Sequence, residues 1–376
     1  MLNVLLTGVV SFMITLVALP AIIRVADEKK LFDLPDERKL HTKTIASLGG
    51  VGIFLGFFIS TLLLISNKDN IPFQYFFASA LVIFFLGLKD DILIISATKK
   101  FLGQVLATSI LVHLAHVRID SMHGFLGVYQ LPELASIFLS YATIIVIINA
   151  FNLIDGVDGL AASLGVIATT VFGIYFFMAG LIAYSMLSFA MTASLLAFLY
   201  FNYHPARIFM GDSGSLLLGM VNAILVIKFI AAADAKGIIL PLTSSVAIGF
   251  SILIVPLLDT LRVFSIRIYK GRSPFSPDRN HIHHLLLDRG LNHSNVTLAC
   301  VGLNLVFIVL AFLGRPMGST VLLGSMIVSW FAIIGALIYL WKPIPQLVVV
   351  QPGTDQKPLS STKVVSISNE VAVARQ

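Results

Sequence analysis

Long apolar stretches alternate with short polar ones from the first residue to about residue 342. A helix needs about 20 mostly apolar residues to cross a bilayer. Stretches of roughly this kind lie at residues 3–24, 46–66, 73–88, 100–117, 134–150, 160–179, 182–201, 213–231, 238–260, 296–314 and 319–341. They predict an all-α polytopic membrane protein of about eleven transmembrane helices. Residues 1–342 form one integral membrane unit in this scheme, and residues 343–376 a polar tail. That tail, with QPGTDQKP and a Ser/Thr run, is expected to be disordered because it has little apolar surface to bury. Residues 1–25 lack a basic start, so they are expected to be a first span and not a cleaved leader.

Composition agrees with a membrane location. The chain is 57% hydrophobic and 12% charged, with a mean hydropathy of +0.95, whereas soluble domains carry about 25% charged residues. One cysteine, Cys300, excludes an internal disulfide and any multi-cysteine metal site. The net charge of +6 fits a cytosolic membrane face better than nucleic acid. One set of loops holds seventeen Lys and Arg, the other set five (Lys68, Arg118, Lys228, Lys236 and Arg315). The richer side is expected to be cytosolic. The N-terminus is then outside, and the odd number of spans puts the C-terminal tail in the cytosol.

Five aspartates stand at the ends of these apolar stretches. They are Asp90 and Asp91 in LGLKDDI, Asp155 and Asp158 in NAFNLIDGVDGLA, and Asp212 in FMGDSGS. A carboxylate at the bilayer centre costs about 2.5–3.5 kcal/mol. They are therefore expected at the boundary, with a divalent cation and a phosphorylated ligand using their charge. The predicted orientation puts all of them on the cytosolic face. A transporter more often sets ionisable residues near the midplane on broken helices, so one-sided clustering favours an enzyme.

Each motif has its own logic. Asp90 and Asp91 point about 100° apart on a helix, so they must do different jobs. Asp155 and Asp158 sit three apart and would share a face on a helix, with Gly156 and Gly159 allowing close approach of a ligand. Asn149 and Asn152 add amides. Ser213 and Ser215 are candidate caps of the following helix. Residues 261–295 form a basic loop with SPDRNHIHHLLLDRG, in which His281, His283 and His284 lie among Arg272, Arg279 and Arg289. Those arginines would repel a metal and suit a diphosphate. Asp259 and Arg262 read as a salt-bridged pair. Arg38, Lys39, His41 and Lys43 face headgroups or an anionic ligand, and Gly49 and Gly50 allow close helix packing.

Taken in order, RKLH…GG, the Asp pair, NAFNLIDGVDGLA, FMGDSGS and HIHH resemble the polyprenyl-phosphate N-acetylhexosamine-1-phosphate transferase family, glycosyltransferase family 4, over about residues 30–295. NAFNLIDG and DRNHIHHLL are closer to its N-acetylglucosamine-1-phosphate branch than to the phospho-MurNAc-pentapeptide branch, since Ile282 interrupts the histidines. Ala46 and Ser47 depart from the proline that the family often carries before GG. The resemblance implies a Mg²⁺-dependent (or Mn²⁺-dependent) transfer of sugar 1-phosphate from a UDP-N-acetylhexosamine to undecaprenyl phosphate, releasing UMP. Membrane lipids are its other partners, and a homodimer is the family habit. It implies a bacterial inner membrane location and a role in starting a cell-surface polysaccharide such as O-antigen. Carried over residue by residue, Asp212, Asn152 and Asp91 are candidate metal ligands, and Asp90 positions or deprotonates the lipid phosphate. Asp155, Asp158 and Phe209 orient nucleotide and sugar, and Arg279, His281, His283 and His284 hold the diphosphate or the sugar. The peptidoglycan enzyme of the same family and a transporter of an anionic solute are the alternatives. An internal repeat would favour transport, and the sequence shows none.

Overall fold

A computed structural model describes residues 1–29, 45–65, 73–233, 242–271 and 280–343. It is almost entirely helical. The helices are α1 (Leu2–Lys29), α2 (Gly49–Leu64), α3 (Phe73–Ile92), α4 (Ala97–Ser109, running into a π-helical turn at Ile110–Leu114), α5 (Glu133–Ile154), α6 (Leu160–Met178), α7 (Ile182–Asn202) and α8 (Gly211–Ala233). They continue as α9 (Ser245–Ile252), α10 (Ile254–Tyr269), α11 (Ile282–Leu287), α12 (His293–Leu313) and α13 (Ser319–Leu340). The expected all-α membrane architecture is therefore present.

The number of spans differs from expectation. Among the described residues, seven helices (α1, α5, α6, α7, α8, α12 and α13) are long and apolar enough to cross a membrane, or eight if α9 and α10 form one broken span. The stretch expected as one span at 238–260 breaks between Ile252 and Ile254, where the two helices bend by 82°. The stretch at 46–66 yields only the 16 helical residues of α2. The stretch at 100–117 yields the 13 residues of α4 and the π-helical turn, with charged and polar side chains in its first turns. The tail beyond residue 343 and the basic run at Arg38, Lys39, His41 and Lys43 lie outside the described residues.

One feature has no counterpart in the hydropathy pattern. Residues Ser121–Phe125 (β1) and Val128–Gln130 (β2) form an antiparallel hairpin between the π-helical turn and α5. Gly124 and Gly127 take positive φ there, which only glycine adopts without strain.

α8 is the hub, with 83% of its apolar window buried, whereas α1 has 22% and faces outward. It packs against α2, α3, α5, α6 and α9. Inside a membrane, small residues and interhelical hydrogen bonds hold helices together. Ser11 of α1 donates to Ala190 O of α7 (2.7 Å) and meets Ser194 Oγ at 2.6 Å. Thr169 of α6 meets Thr192 of α7 at 2.7 Å. At the polar end, Gly50 of α2 lies against the start of α8. A Cβ on Gly50 would come within 2.1 Å of the Gly214 backbone nitrogen. Backbone bonds from Gly49 N to Phe209 O (2.9 Å), Gly50 N to Met210 O (2.8 Å) and Phe209 N to Ala46 O (2.9 Å) lock the two segments edge to edge.

Forcing a methyl into this junction is overpacking, which costs about 1–3 kcal/mol. Gly50→Ala is expected to lower the thermal unfolding midpoint of the detergent-solubilised protein by several degrees. An unchanged midpoint would show that the two segments do not meet as described.

Candidate active site

The polar motifs do come together, and they do so at one end of the helical bundle. Asp90 and Asp91 close α3, Asn152 lies in the last turn of α5, Asp155 follows it, and Asp212 opens α8. Asp91 Oδ1 and Oδ2 accept the backbone N–H groups of Asp212 (2.6 Å) and Ser213 (3.0 Å). A helix start leaves four amides without intrahelical partners. Here a carboxylate from another helix satisfies two of them, in the place expected for Ser213 or Ser215. Gly211 has φ +71°, and a Cβ there would meet Ser47 O at 2.2 Å and Asp91 Oδ1 at 2.7 Å. Gly49 and Gly50 of the GG motif and Gly211 of MGD are therefore all demanded by close approach.

Asp90 points elsewhere, as neighbours on a helix must. It accepts Ile95 N (2.8 Å) and pairs with Lys100 Nζ (3.2 Å). Lys100 also contacts Asp212 Oδ2 and, at 3.3 Å, Asn152 Oδ1. Asn152 donates to Asp212 Oδ1 (2.6 Å) and to Ser215 Oγ (3.0 Å). Lys100 was invisible as a site residue in the sequence, where it counted only as a cytosolic positive charge.

The two aspartates of DGVDG do not share a helical face. α5 ends at Ile154, and Gly159, with φ +74°, turns the chain into α6. Asp155 stays with the cluster. Burial, and then the charges of Asp212, Asp91 and Asp158, push its carboxyl up to about 8. Its carboxyl accepts no hydrogen bond from the described residues. Asp158 turns away to His204 Nδ1 (2.7 Å) and His293 Nδ1 (3.3 Å), and also accepts Ala206 N at 3.2 Å. Burial alone would raise Asp158, but hydrogen bonds from His293 and His204 outweigh it and hold the carboxyl down to about 2.

The histidine segment sits over the same loop. A Cβ on Gly156 would be 2.5 Å from His283 Nε2, so the ring lies directly against the Asp155–Gly156 backbone. The His281 and His283 rings stack 5.6 Å apart with their planes 4° from parallel, and His284 is 4.3 Å from His283. His281 Nδ1 meets Asp259 Oδ2 at 2.8 Å, while Asp259 Oδ1 accepts Ile282 N (2.9 Å) and Arg262 Nη2 (2.9 Å). Asp259 and Arg262 do pair as expected, and the pair also clamps the start of α11. Arg289 is structural, its Nε donating to Trp341 O (2.5 Å) and its Nη1 to Leu285 O (2.8 Å). Arg279 lies outside the described residues. Phe209 is half-buried, with its backbone in the junction to Ala46 and Gly49.

The donor set can be tested against magnesium, which prefers carboxylate and amide oxygens and substrate phosphates. The Lys100 ammonium already stands as a positive centre between Asp90, Asp212 and the Asn152 oxygen. Asp155 feels the like charges of Asp212, Asp91 and Asp158. Both features fit a hard cation. Asp91 has both oxygens engaged by amides, so its first duty is to place Asp212.

Burial and then the charge on His284 lower His283 to about 3, so its ring is neutral at physiological pH. An unfolded histidine titrates near 6.5. The unfolded chain therefore gains a proton first, and the contribution of His283 is full above pH 6.5 and lost as pH falls toward 3. His283→Gln is expected to flatten the acid-side loss of stability in that window, followed by denaturation at a series of pH values. An acid limb of unchanged slope would contradict the buried neutral ring.

Known proteins bear on this geometry. Residues 73–230 match the family described as "Glycosyl transferase family 4". The chain is 33% identical over 316 residues to a Bacillus subtilis (strain 168) protein named "Probable undecaprenyl-phosphate N-acetylglucosaminyl 1-phosphate transferase", covering 82% of this chain and 84% of the relative. It is 33% identical over 324 residues to the decaprenyl-phosphate N-acetylglucosaminephosphotransferase of Mycobacterium leprae, covering 78% and 79%. It is 29% identical over 299 residues to the undecaprenyl-phosphate alpha-N-acetylglucosaminyl 1-phosphate transferase of Yersinia pestis, covering 76% and 78%. With a relative this similar spanning most of both chains, and its matched segment carrying the Asp90–Lys100–Asn152–Asp212 cluster, the chain belongs to glycosyl transferase family 4, the polyprenyl-phosphate N-acetylhexosamine-1-phosphate transferases.

Proposed function

We propose that this protein transfers N-acetylglucosamine 1-phosphate from UDP-N-acetylglucosamine to undecaprenyl phosphate at the cytosolic face of a bacterial inner membrane. The observation that carries this is the convergence of Asp90, Lys100, Asn152, Asp155 and Asp212, from four separate segments, at one end of the bundle. A lipid-borne acceptor and a soluble nucleotide meet only at such a boundary. The relatives' names point to the same acceptor and sugar.

The reaction is a phosphoryl transfer, so positioning and charge neutralisation are most of the work. An oxygen of the lipid phosphate attacks the sugar-bearing phosphorus of the UDP-sugar. The diphosphate bond to the nucleotide breaks, and UMP leaves with the electron pair. Asp212 and Asn152, with Asp91 behind them, would hold magnesium, which would supply positive charge to the diphosphate when bound. Asp90, oriented by Ile95 N, positions the incoming phosphate. A phosphate monoester has a second pKa near 6, so little proton removal is asked of it. Lys100 neutralises Asp90 and Asp212 and can turn to a phosphate oxygen. Asp155 and the Gly156 backbone face the nucleotide, and Asp158 fixes the loop that carries them. Phe209 is the stacking wall. His281, His283 and His284, with Arg279, hold the diphosphate or the sugar. The polysaccharide begun in this way would be a cell-surface polymer of the O-antigen kind.

The direct test mixes membranes, undecaprenyl phosphate and labelled UDP-N-acetylglucosamine with and without magnesium. Labelled lipid and released UMP are expected only with magnesium. Label transferred only from UDP-MurNAc-pentapeptide, or solute uptake without UMP release, would overturn the proposal. Asp212→Asn is expected to remove transfer by at least a hundredfold, the scale of losing a charge-stabilising group, while the protein remains extractable and folded. Full activity in that variant would take Asp212 out of the metal site.

A further inference from the structure

Asp158, His204 and His293 form a cluster that the transfer chemistry leaves largely unused. The three come from the loop after α5, the loop after α7 and the first residue of α12. Each offers one ligand atom, and these atoms all lie within 4.8 Å of one another. The carboxylate presents one oxygen to each imidazole, Oδ2 to His204 Nδ1 at 2.7 Å and Oδ1 to His293 Nδ1 at 3.3 Å. The two rings are 5.1 Å apart at their centroids.

Two imidazoles and one carboxylate are the donor set of many open zinc sites, in which water completes a tetrahedron. Zinc bonds of about 2.0–2.2 Å to nitrogen and oxygen put neighbouring ligand atoms roughly 3.3–3.5 Å apart. The two carboxylate–imidazole contacts, 2.7 and 3.3 Å, lie within about 0.8 Å of that spacing, and no pair of ligand atoms is more than 4.8 Å apart. Asp158 is buried, its side chain 1% exposed, while that of His204 is 37% exposed, so one side of the cluster opens to solvent. The surroundings do not oppose a cation. Arg207, three residues beyond His204, is drawn aside over the rings of Phe201 (4.7 Å) and Tyr200 (5.3 Å) and donates to Tyr200 O. The site is also braced from behind. Thr297 Oγ1 donates to the Asp158 backbone carbonyl at 2.9 Å, and Asn202 Oδ1 accepts Gly159 N at 2.9 Å.

We propose that Asp158, His204 and His293 are a second metal site, selective for a borderline divalent ion such as zinc and separate from the oxygen-rich cluster around Asp212. Imidazole donors set the preference, because magnesium favours oxygen ligands while zinc accepts both. The ion joins three chain segments that come from separate parts of the sequence. Two of them lead directly into the acidic cluster, one through Asp155 and the other through the FMGDSGS turn. Its role is therefore to fix the spacing of the loops that frame the active end. The site does not depend on which sugar is transferred.

The test uses the purified full-length chain in detergent. It is stripped with a strong chelator, reloaded with zinc in excess magnesium, exchanged into metal-free buffer and analysed for zinc per chain by mass spectrometry. About one zinc per chain is expected for the native protein, for Asp212→Asn and for His283→Ala. His204→Ala and His293→Gln are expected to weaken zinc binding at least tenfold. His204 is the most exposed of the three, so its replacement disturbs packing least, and a monodisperse elution profile shows that each variant is folded. Cobalt loading provides a second readout, because tetrahedral cobalt absorbs visibly and the bands should vanish in both histidine variants. Failure of the native protein to retain zinc overturns the proposal. So does zinc that persists in both histidine variants, or zinc lost with His283→Ala instead.

Discussion

One carboxylate sets the height of everything at the polar end. Asp91 closes α3 and takes the first two free amides of α8. A helix start carries a partial positive charge and unmet N–H groups, and both favour an anion there. Near an apolar interior, leaving either side unpaired is costly. The bond therefore fixes where α8 begins relative to where α3 ends. Since α8 is the most enclosed of the candidate spans, the rest of the bundle is arranged around that choice. Gly87 shows how tight the junction is, because a Cβ there would meet Asp212 O and Ser213 N at 2.5 Å.

With that register fixed, each acid is balanced differently. Lys100 serves Asp90 and Asp212, two histidines serve Asp158, and Arg262 with His281 serves Asp259. Asp155 is buried and then pressed by the charges of Asp212, Asp91 and Asp158, and its carboxyl is raised accordingly. An acid set among like charges, near an ammonium-balanced pair, leaves room for a further positive charge. This is the physical basis for placing a hard cation and a diphosphate at this end. The neutral, buried His283 then lies against the Gly156 backbone and covers the loop without adding charge.

Much of this was readable from the chain. Apolar runs of about 20 residues located α1, α5 to α8, α12 and α13 within a few residues, because hydropathy over such lengths leaves few options. The aspartate motifs were legible because ionised groups at span ends are expensive to leave without use. Other features depended on contacts far apart in sequence. Lys100 meets Asp212 across 112 residues and His204 meets Asp158 across 46, and no local pattern marks either. The break at Leu253 falls three residues before Pro256 in a run that stays apolar on average, so hydropathy reads one span where the chain turns by 82°. The hairpin at residues 121–130 lacks polar–apolar alternation, and only its glycines hinted at a turn. Helical spacing puts Asp155 and Asp158 on one face, which fails because α5 stops at Ile154.

The central claim is that acids from α3 and α8, with Asn152 and Asp155 from the end of α5, enclose one divalent cation. Electron paramagnetic resonance of Mn²⁺ titrated into the purified protein addresses it most directly, since the aquo ion's signal changes when it enters a carboxylate site. The account predicts one bound Mn²⁺ per chain, displaced by magnesium and lost in the double variant Asp90→Asn/Asp212→Asn. Manganese that stays free in the native protein, or binds equally in the double variant, would contradict it.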